Sequence, residues 1–387
     1  MVVAVAAMAA PSQSQSVCMI GGDGETSYAN NSHFQSGAQS LLKPLVEEAI
    51  AALCRPAVPC RVGVADLGCS SGPNALALVS AAVDSLRHHH RRRRLGCQSS
   101  SSPEPNRRRR AEISVYLNDL PDNDFNLVFK AVPAFLEKHM GASGGDDDDG
   151  DGDGPLVLVL GAPGSFYGRL FAAQSLHLVC SSFSVHWLSK VPQELADGVL
   201  VNKGNTWAGR TSTPAVAAAY ARQFEHDLSL FLSSRAEEIV PGGWLVLSVA
   251  GRPGKDLSSQ DRQSEFTAEV LCDMAARGVV TAEDVDSYNV PFYAPCADEL
   301  RAAAELEGSF EAVRVESHAV LTCDGDPAKS AAMARSLRVI SESTLVRHFG
   351  RVDDVGGEFA RAAEARYRGP PAPVMEGVVH VLSLRRK

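Results

Sequence analysis

The segment that most limits the fold is a single junction. Arg61-Val62-Gly63-Val64-Ala65 is a short apolar run that passes directly into Asp66-Leu67-Gly68-Cys69-Ser70-Ser71-Gly72-Pro73-Asn74, and Ala75 to Leu86 then takes up helical period. A strand, a glycine-containing turn and a helix in that order open a βαβ unit of an open α/β sheet. Further strands are expected at Glu112–Leu117, Pro155–Leu160, around Leu178–Leu188 and at Trp244–Val249. Pro155–Leu160 is apolar without interruption, as a parallel strand buried on both faces requires. Helical period recurs over Ala38–Leu53, Asp124–His139 and Thr213–Ile239. Beyond Arg252 the pattern changes to helices at Phe266–Arg277, Ala297–Leu306 and Ala328–Gly350, with closing strands at Ala312–Leu321 and Val378–Leu384. There is no internal repeat. The expected architecture is α/β, a doubly wound, mostly parallel sheet over residues 18–387. A helical cap from about 18–55, 200–220, 255–306 and 328–350 covers its carboxyl edge, and residues 1–17 form a tail.

Two tracts interrupt this pattern. His88 to Arg110 carries eight Arg and one Glu, and Gly141 to Gly154 carries six Asp. Both read as low-complexity loop insertions (88–110 and 141–154), because each joins a helix to a strand; the Arg tract alternatively reads as a nuclear-localisation or polyanion patch. Their charges nearly cancel, so the net charge of -9 belongs to the rest of the chain. An acidic folded part argues against a nucleic-acid partner. The Asp tract lacks the spaced ligands and terminal Glu of a calcium loop. No run approaches the ~18 apolar residues of a membrane span. The nine Cys contain no Cys-x-x-Cys pair, which argues against a disulfide framework or zinc ribbon and for reduced thiols. Met1–Pro11 is Ala-rich, without the basic start of a secretory signal. A cytoplasmic protein is the expectation.

Ligands of open α/β sheets bind beyond the carboxyl ends of the strands. That points to Asp66–Asn74, Asn118–Leu120, Gly161–Phe166 and Phe183–Trp187. The first loop has Gly68 and Gly72 in a Gly-x-x-x-Gly spacing, not the Gly-x-Gly-x-x-Gly that admits a pyrophosphate, and no Walker A sequence exists. Asp119 after the second strand can accept both hydroxyls of a ribose, while Asp66 can face a cationic amino or sulfonium group. An adenosine with a cationic tail suggests S-adenosylmethionine. The alternative is structural: Asp119 as a helix N-cap and Asp66 as a loop acid. Gly141-Ala-Ser143-Gly-Gly145 matches a nucleophile elbow by chance, since no strand and helix flank it. His177 and His186 lack the spacing of a zinc pair.

Five motifs in sequence order carry a resemblance: Glu25-Thr-Ser-Tyr28-Ala-Asn-Asn-Ser32-His-Phe-Gln35, Ala65–Asn74, Asn118-Asp119-Leu120-Pro121, Pro163-Gly-Ser165-Phe166-Tyr-Gly-Arg169-Leu-Phe and Ser181–Ser189. Together they resemble the SABATH family of plant methyltransferases, which use S-adenosylmethionine to methylate small carboxylic acids or, in the caffeine branch, ring nitrogens. The similarity runs from about Met19 to Arg386 outside the two tracts.

The resemblance implies a class I methyltransferase sheet with a helical cap, often as a homodimer. It implies cofactor contacts at Tyr28, Ser32, Asp66, Cys69, Asn74, Asp119, Leu120, Ser165 and Phe166. It implies carboxylate donors at Gln35 and Trp187, and substrate walls at Phe183, His186, Phe266, Phe292, Tyr293 and Leu337. A structural, optional magnesium site maps to Asn202, Asp286, the Tyr288 backbone and Asn289. The chain departs at Ile20, where many relatives have Lys, at Gly377, where they have a bulky residue, and at His186, where several salicylate and benzoate methylators have Met. The expected activity is methyl-ester formation on a small, largely apolar acid of benzoate, salicylate, anthranilate, jasmonate or indole-3-acetate type. The alternatives are an N-methyltransferase of a heterocycle and a non-catalytic paralogue that binds the cofactor or a small acid.

Overall fold

The protein was analysed as a computed structural model that describes residues 17, 19–22, 24, 27–97, 110–140, 154–260, 262–323, 326–350, 352–369 and 375–387. Seven strands form one sheet: β1 (Arg61–Leu67), β2 (Glu112–Asn118), β3 (Leu156–Gly161), β4 (Leu176–Ser182), β5 (Ile239–Gly251), β6 (Phe310–Cys323) and β7 (Met375–Arg386). Their order is β3-β2-β1-β4-β5-β7-β6. The first five are parallel, and β7 lies antiparallel between β5 and β6. The chain order reverses at the β1–β4 boundary, and there the connections leave on opposite faces and open a crevice above the carboxyl ends. Six of the seven β1 residues are buried, as the apolar run requires of a central strand.

The helices are α1 (Tyr28–Asn31), α2 (His33–Cys54), α3 (Ala77–Cys97), α4 (Phe125–Met140), α5 (Gln193–Ala196), α6 (Pro214–Glu238), α7 (Gln263–Ala276), α8 (Ala282–Ser287), α9 (Ala297–Glu307), α10 (Pro327–Phe349) and α11 (Val355–Arg368). On one face of the sheet, α2 and α3 bury Leu42, Val46, Ile50, Val79 and Val83 with Val62, Val64, Leu178 and Val246. On the other, Leu228, Phe231 and Leu232 of α6 meet Leu176, Val179, Leu245 and Leu247. The cap is made of α7, α8, α10 and α11, with Phe266, Leu271, Phe349, Phe359 and Tyr367 in the same core.

The structure corrects four expectations. First, α2 packs on the sheet and is not part of the cap, because its apolar stripe faces β4, β5 and α3. Second, α9 packs against β6 and α6 and so belongs to the sheet layer too. Third, α11 joins the cap unforeseen: its sequence opens with Gly356-Gly357, which hides the helix, but Asp354 caps it by accepting from the Gly357 N–H at 3.1 Å. Fourth, α3 does not stop near Leu86 but runs through His88–Arg94 to Cys97, because arginine is a good helix former and no breaker precedes Gly96. Residues 98–109 and 141–153, and the tail apart from Val17, lie outside the described residues. The fourth strand ends at Ser182, so Phe183–Leu188 is a loop at its carboxyl end.

Candidate active site

The site begins at the turn after β1. Gly68 has φ +74°, and a Cβ there would lie 2.2 Å from Ser184 Oγ, so the position requires glycine on both counts. The N–H groups of Gly68 and Cys69 both donate to Asn118 O, which folds the turn over the end of β2. Asn118 in turn donates to Ala162 O and Gly164 O, at 2.6 and 2.9 Å, and so ties in the loop after β3. Phe183, at the end of β4, holds φ +56°, a strained conformation for a bulky residue and one that clusters at functional sites.

These turns surround a cavity of about 880 Å³. Tyr28, Gly68, Ser70, Asp119, Leu120, Ser165 and Phe166 line it. The Asp119 carboxylate accepts from Ser70 N–H at 2.6 Å and Leu120 N–H at 2.7 Å. It is therefore no helix cap: Asp124 caps α4, accepting from Leu127 N–H at 3.1 Å. Burial outweighs those two donors and raises the Asp119 pKa to about 6. Asp66 is buried behind it, and among the described residues no protein donor reaches its carboxylate. Burial, and then the like charge of Asp119, push its pKa to about 8. Two carboxylates in this state favour a cationic ligand. Burial raises the Tyr28 phenol and the Cys69 thiol as well.

A second cavity, of about 130 Å³, lies under the cap. A ~150 Å³ apolar cavity holds a benzene ring, so the scale is that of one small molecule. Gln35, His186, Phe292 and Leu337 line it, and Met19, Tyr28, Phe183 and Trp187 line both cavities. The two spaces therefore share a wall. An isolated bridge pairs Trp187 with Phe292, and the rings of His186, Trp187 and Phe292 lie 5.0–5.7 Å apart. His186 Nδ1 accepts from Ala250 N–H at 3.2 Å, so its proton sits on Nε2. Burial lowers its pKa to about 3 and keeps it neutral. Gln35 Oε1 is buried without a partner among the described residues. Among the described residues no charged side chain lines this cavity.

Several expected residues stand elsewhere. Phe266 and Tyr293 are not cavity walls. Phe266 stacks on Tyr367 of α11 at 4.3 Å, and Tyr293 turns away to Phe224 and Glu299, because neighbours on extended backbone point to opposite sides and Phe292 takes the inward one. Ser32, Asp66, Cys69 and Asn74 line neither cavity; Asn74 Nδ2 donates to Ser32 Oγ at 2.9 Å, a tie between the N-terminal arm and the turn after β1. Cys69 Sγ is turned to Ser70 O. Met19, not Ile20, faces the cavities, and Ile20 contributes its carbonyl to Tyr28 N–H at 2.9 Å. Gly377 lines the smaller cavity. Sequence reasoning missed Thr267, Met333 and Ile340 of the cap, Trp207, and Asp227 of α6. Asp227 is buried against the larger cavity, accepting from Ser189 and Gln223. Helical period alone marks the cap residues as core.

The structure does not show the magnesium site. Asn202 spends its amide on Trp207 O and Ser212 Oγ, and Lys203 Nζ stands 3.9 Å from Asp286, the set's only acid. Asn289 Nδ2 donates to Ser287 O, and Asn289 Oδ1 is buried with no partner among the described residues. Among the described residues no group of three His, Cys, Asp or Glu side chains could hold a metal.

This strand order, with an antiparallel seventh strand and acids at the ends of β1 and β2, defines a class I S-adenosylmethionine-dependent methyltransferase. Sequence comparison narrows the class. The chain belongs to the SAM-dependent carboxyl methyltransferase family, whose sequence model matches residues 14–387. It is 39% identical over 361 residues to a probable jasmonic acid carboxyl methyltransferase of Theobroma cacao, covering 89% of this chain and 91% of that one. It is 38% identical to the salicylate carboxymethyltransferase of Clarkia breweri, covering 87% and 89%. A loganic acid methyltransferase solved with SAH superposes with a TM-score of 0.74 at 27% identity, covering 95% of this chain and 98% of that one. S-adenosylmethionine is the cofactor of this family.

Proposed function

We propose that the protein forms methyl esters of small, largely apolar carboxylic acids, of the benzoate, salicylate or jasmonate kind. Asp119, Leu120, Ser165 and Phe166 hold the adenosine of S-adenosylmethionine, and Asp66 and Tyr28 lie toward its charged end. The bound cofactor supplies an electrophilic methyl group on a cationic sulfur. The acid lies in the smaller cavity, its carboxylate held by the Gln35 amide and the Trp187 indole N–H. The observation that carries this reading is the wall shared by the two cavities at Tyr28, Phe183 and Trp187. It brings the two ligands together where the donors stand.

The chemistry asks little else of the chain. A carboxylate is already ionised near neutrality, with a pKa of ~4, so no general base is needed, and the neutral His186 supplies none. Placement within ~3 Å of the methyl group is the main task. Uncharged donors orient the oxygens without neutralising them. Phe183, Phe292 and Leu337 exclude water.

The test is incubation with methyl-labelled S-adenosylmethionine, a panel of benzoate, salicylate, anthranilate, jasmonate and indole-3-acetate, and xanthosine-type heterocycles. Base-labile labelled product from an acid is expected; base-stable product from a heterocycle overturns the reading. The proposal includes a homodimer, supported by Leu158 and Leu160, exposed on the edge strand β3, and checked by light scattering. It also includes a cytosolic location, which the six free cysteines among the described residues suit and which a fluorescent fusion checks.

A further inference from the structure

The loop after β3 supplies Ser165, Phe166 and Tyr167 to the larger cavity, yet it has no regular structure of its own. What fixes it is an ion pair at the end of α6. Arg235 and Glu238 are both fully buried and joined by a 2.7 Å contact. The remaining arms of the guanidinium donate to Phe166 O and Gly168 O, each at 2.9 Å. The other oxygen of Glu238 accepts from Leu170 N–H at 2.6 Å and Phe171 N–H at 3.0 Å. Every outward valence of the pair is thus spent on one loop. The loop passes the constraint on: the Tyr167 hydroxyl donates to Trp187 O at 2.5 Å.

A buried ion pair is weak grounds for stability, because desolvation consumes most of the attraction and well-packed apolar side chains do as well. Its geometry here is better explained by what it holds. We propose that Arg235, Glu238 and Tyr167 form a positioning chain that sets the cofactor loop and, through the Tyr167 hydroxyl, the placement of the Trp187 indole against the acid. None of the three is a catalytic residue; each acts through backbone it anchors. The inference rests on the reading that Trp187 holds the acid.

A double-mutant cycle in the full-length protein tests it. Tyr167→Phe keeps the ring in the cavity and removes only the hydroxyl. It should lower kcat/KM for the acid about tenfold, one hydrogen bond's worth, with S-adenosylhomocysteine affinity within twofold of the parent. In a Trp187→Phe background the same change should cost less than twofold, because its target is gone. A full tenfold loss in both backgrounds overturns the chain while leaving the role of Trp187 intact. No loss from Trp187→Phe alone overturns both. For the ion pair, Arg235→Met combined with Glu238→Leu leaves no unpaired charge and should fold. It should raise the S-adenosylhomocysteine dissociation constant tenfold or more at a similar melting temperature, whereas a folded double variant with parental affinity and kcat/KM overturns the proposal.

Discussion

Replacing Trp187 by phenylalanine isolates the donor on which acid placement depends. The structure shows how little else the change removes. The ring packs edge-on to Phe292 at 5.5 Å and tilts on His186 at 5.7 Å, contacts that a phenyl ring largely keeps. The main chain stays anchored, with Trp187 N–H on Ser184 O at 3.0 Å and Tyr167 on the Trp187 carbonyl. What disappears is one N–H, the one proposed to face the acid's carboxylate. A hydrogen bond to a charged group is worth ~1.5–3 kcal/mol, and each ~1.4 kcal/mol is tenfold in rate. The expected loss in kcat/KM for the acid is therefore roughly 10- to 150-fold. Because Trp187 also borders the larger cavity without offering it a charge, S-adenosylhomocysteine affinity by calorimetry should hold within about threefold. A variant that loses cofactor affinity as much as turnover, or loses neither, refutes the assignment.

Five further outcomes are expected. With its pKa near 8, Asp66 holds a proton in the ligand-free folded protein that the unfolded chain gives up above pH ~4, so its contribution to stability falls as pH rises from ~4 to ~8; Asp66→Asn should raise the melting temperature more at pH 8.5 than at pH 5. The same titration makes a cationic ligand bind more tightly as pH rises through about 8, a trend calorimetry with sinefungin should show and Asp66→Asn should abolish. The smaller cavity has no charged lining among the described residues, so an acid bound there as proposed depends on the cofactor's own cation: opposite charges ~4 Å apart at an effective dielectric of ~20 gain about 4 kcal/mol before desolvation, and benzoate should bind the sinefungin complex at least tenfold better than the S-adenosylhomocysteine complex. Gly68→Ala forces a side chain into positive φ against Ser184, and should lower both melting temperature and S-adenosylhomocysteine affinity. Finally, deletion of 98–109 or of 141–153 should leave kcat within twofold, because both tracts join the chain at the amino ends of β2 and β3, where Arg110 Nε reaches Gly154 O at 2.5 Å, some ~20 Å from the carboxyl edge.

The sheet was legible because buried parallel strands are apolar runs and the turn after β1 must contain glycine. The two acids were legible because chain order places them at strand ends. The cap was harder. Val355–Arg368 begins with two glycines, and its helix exists because Asp354 caps it and Phe359 and Tyr367 find partners on α7 and α10, contacts no local pattern encodes. The orientation of Phe292 against Tyr293 is a matter of one residue of register on an irregular segment, so both could be placed near the site but not sorted. Ser32 and Asn74 carry motif positions yet spend their side chains on each other, one contribution of a motif being to seat the N-terminal arm. The Arg235–Glu238 pair left no sequence signal, since an i, i+3 pair near a helix end ordinarily lies in solvent.

The central claim is that a carboxylate oxygen, held by Gln35 and Trp187, itself takes the methyl group. It is tested most directly with an acid carrying 18O at both carboxyl oxygens, the best acid of the panel, and unlabelled S-adenosylmethionine. The account predicts a methyl ester that retains both heavy oxygens, with Trp187→Phe slowing its formation and leaving the label intact. Loss of one heavy oxygen, or a methylated product that is not an ester, would contradict it.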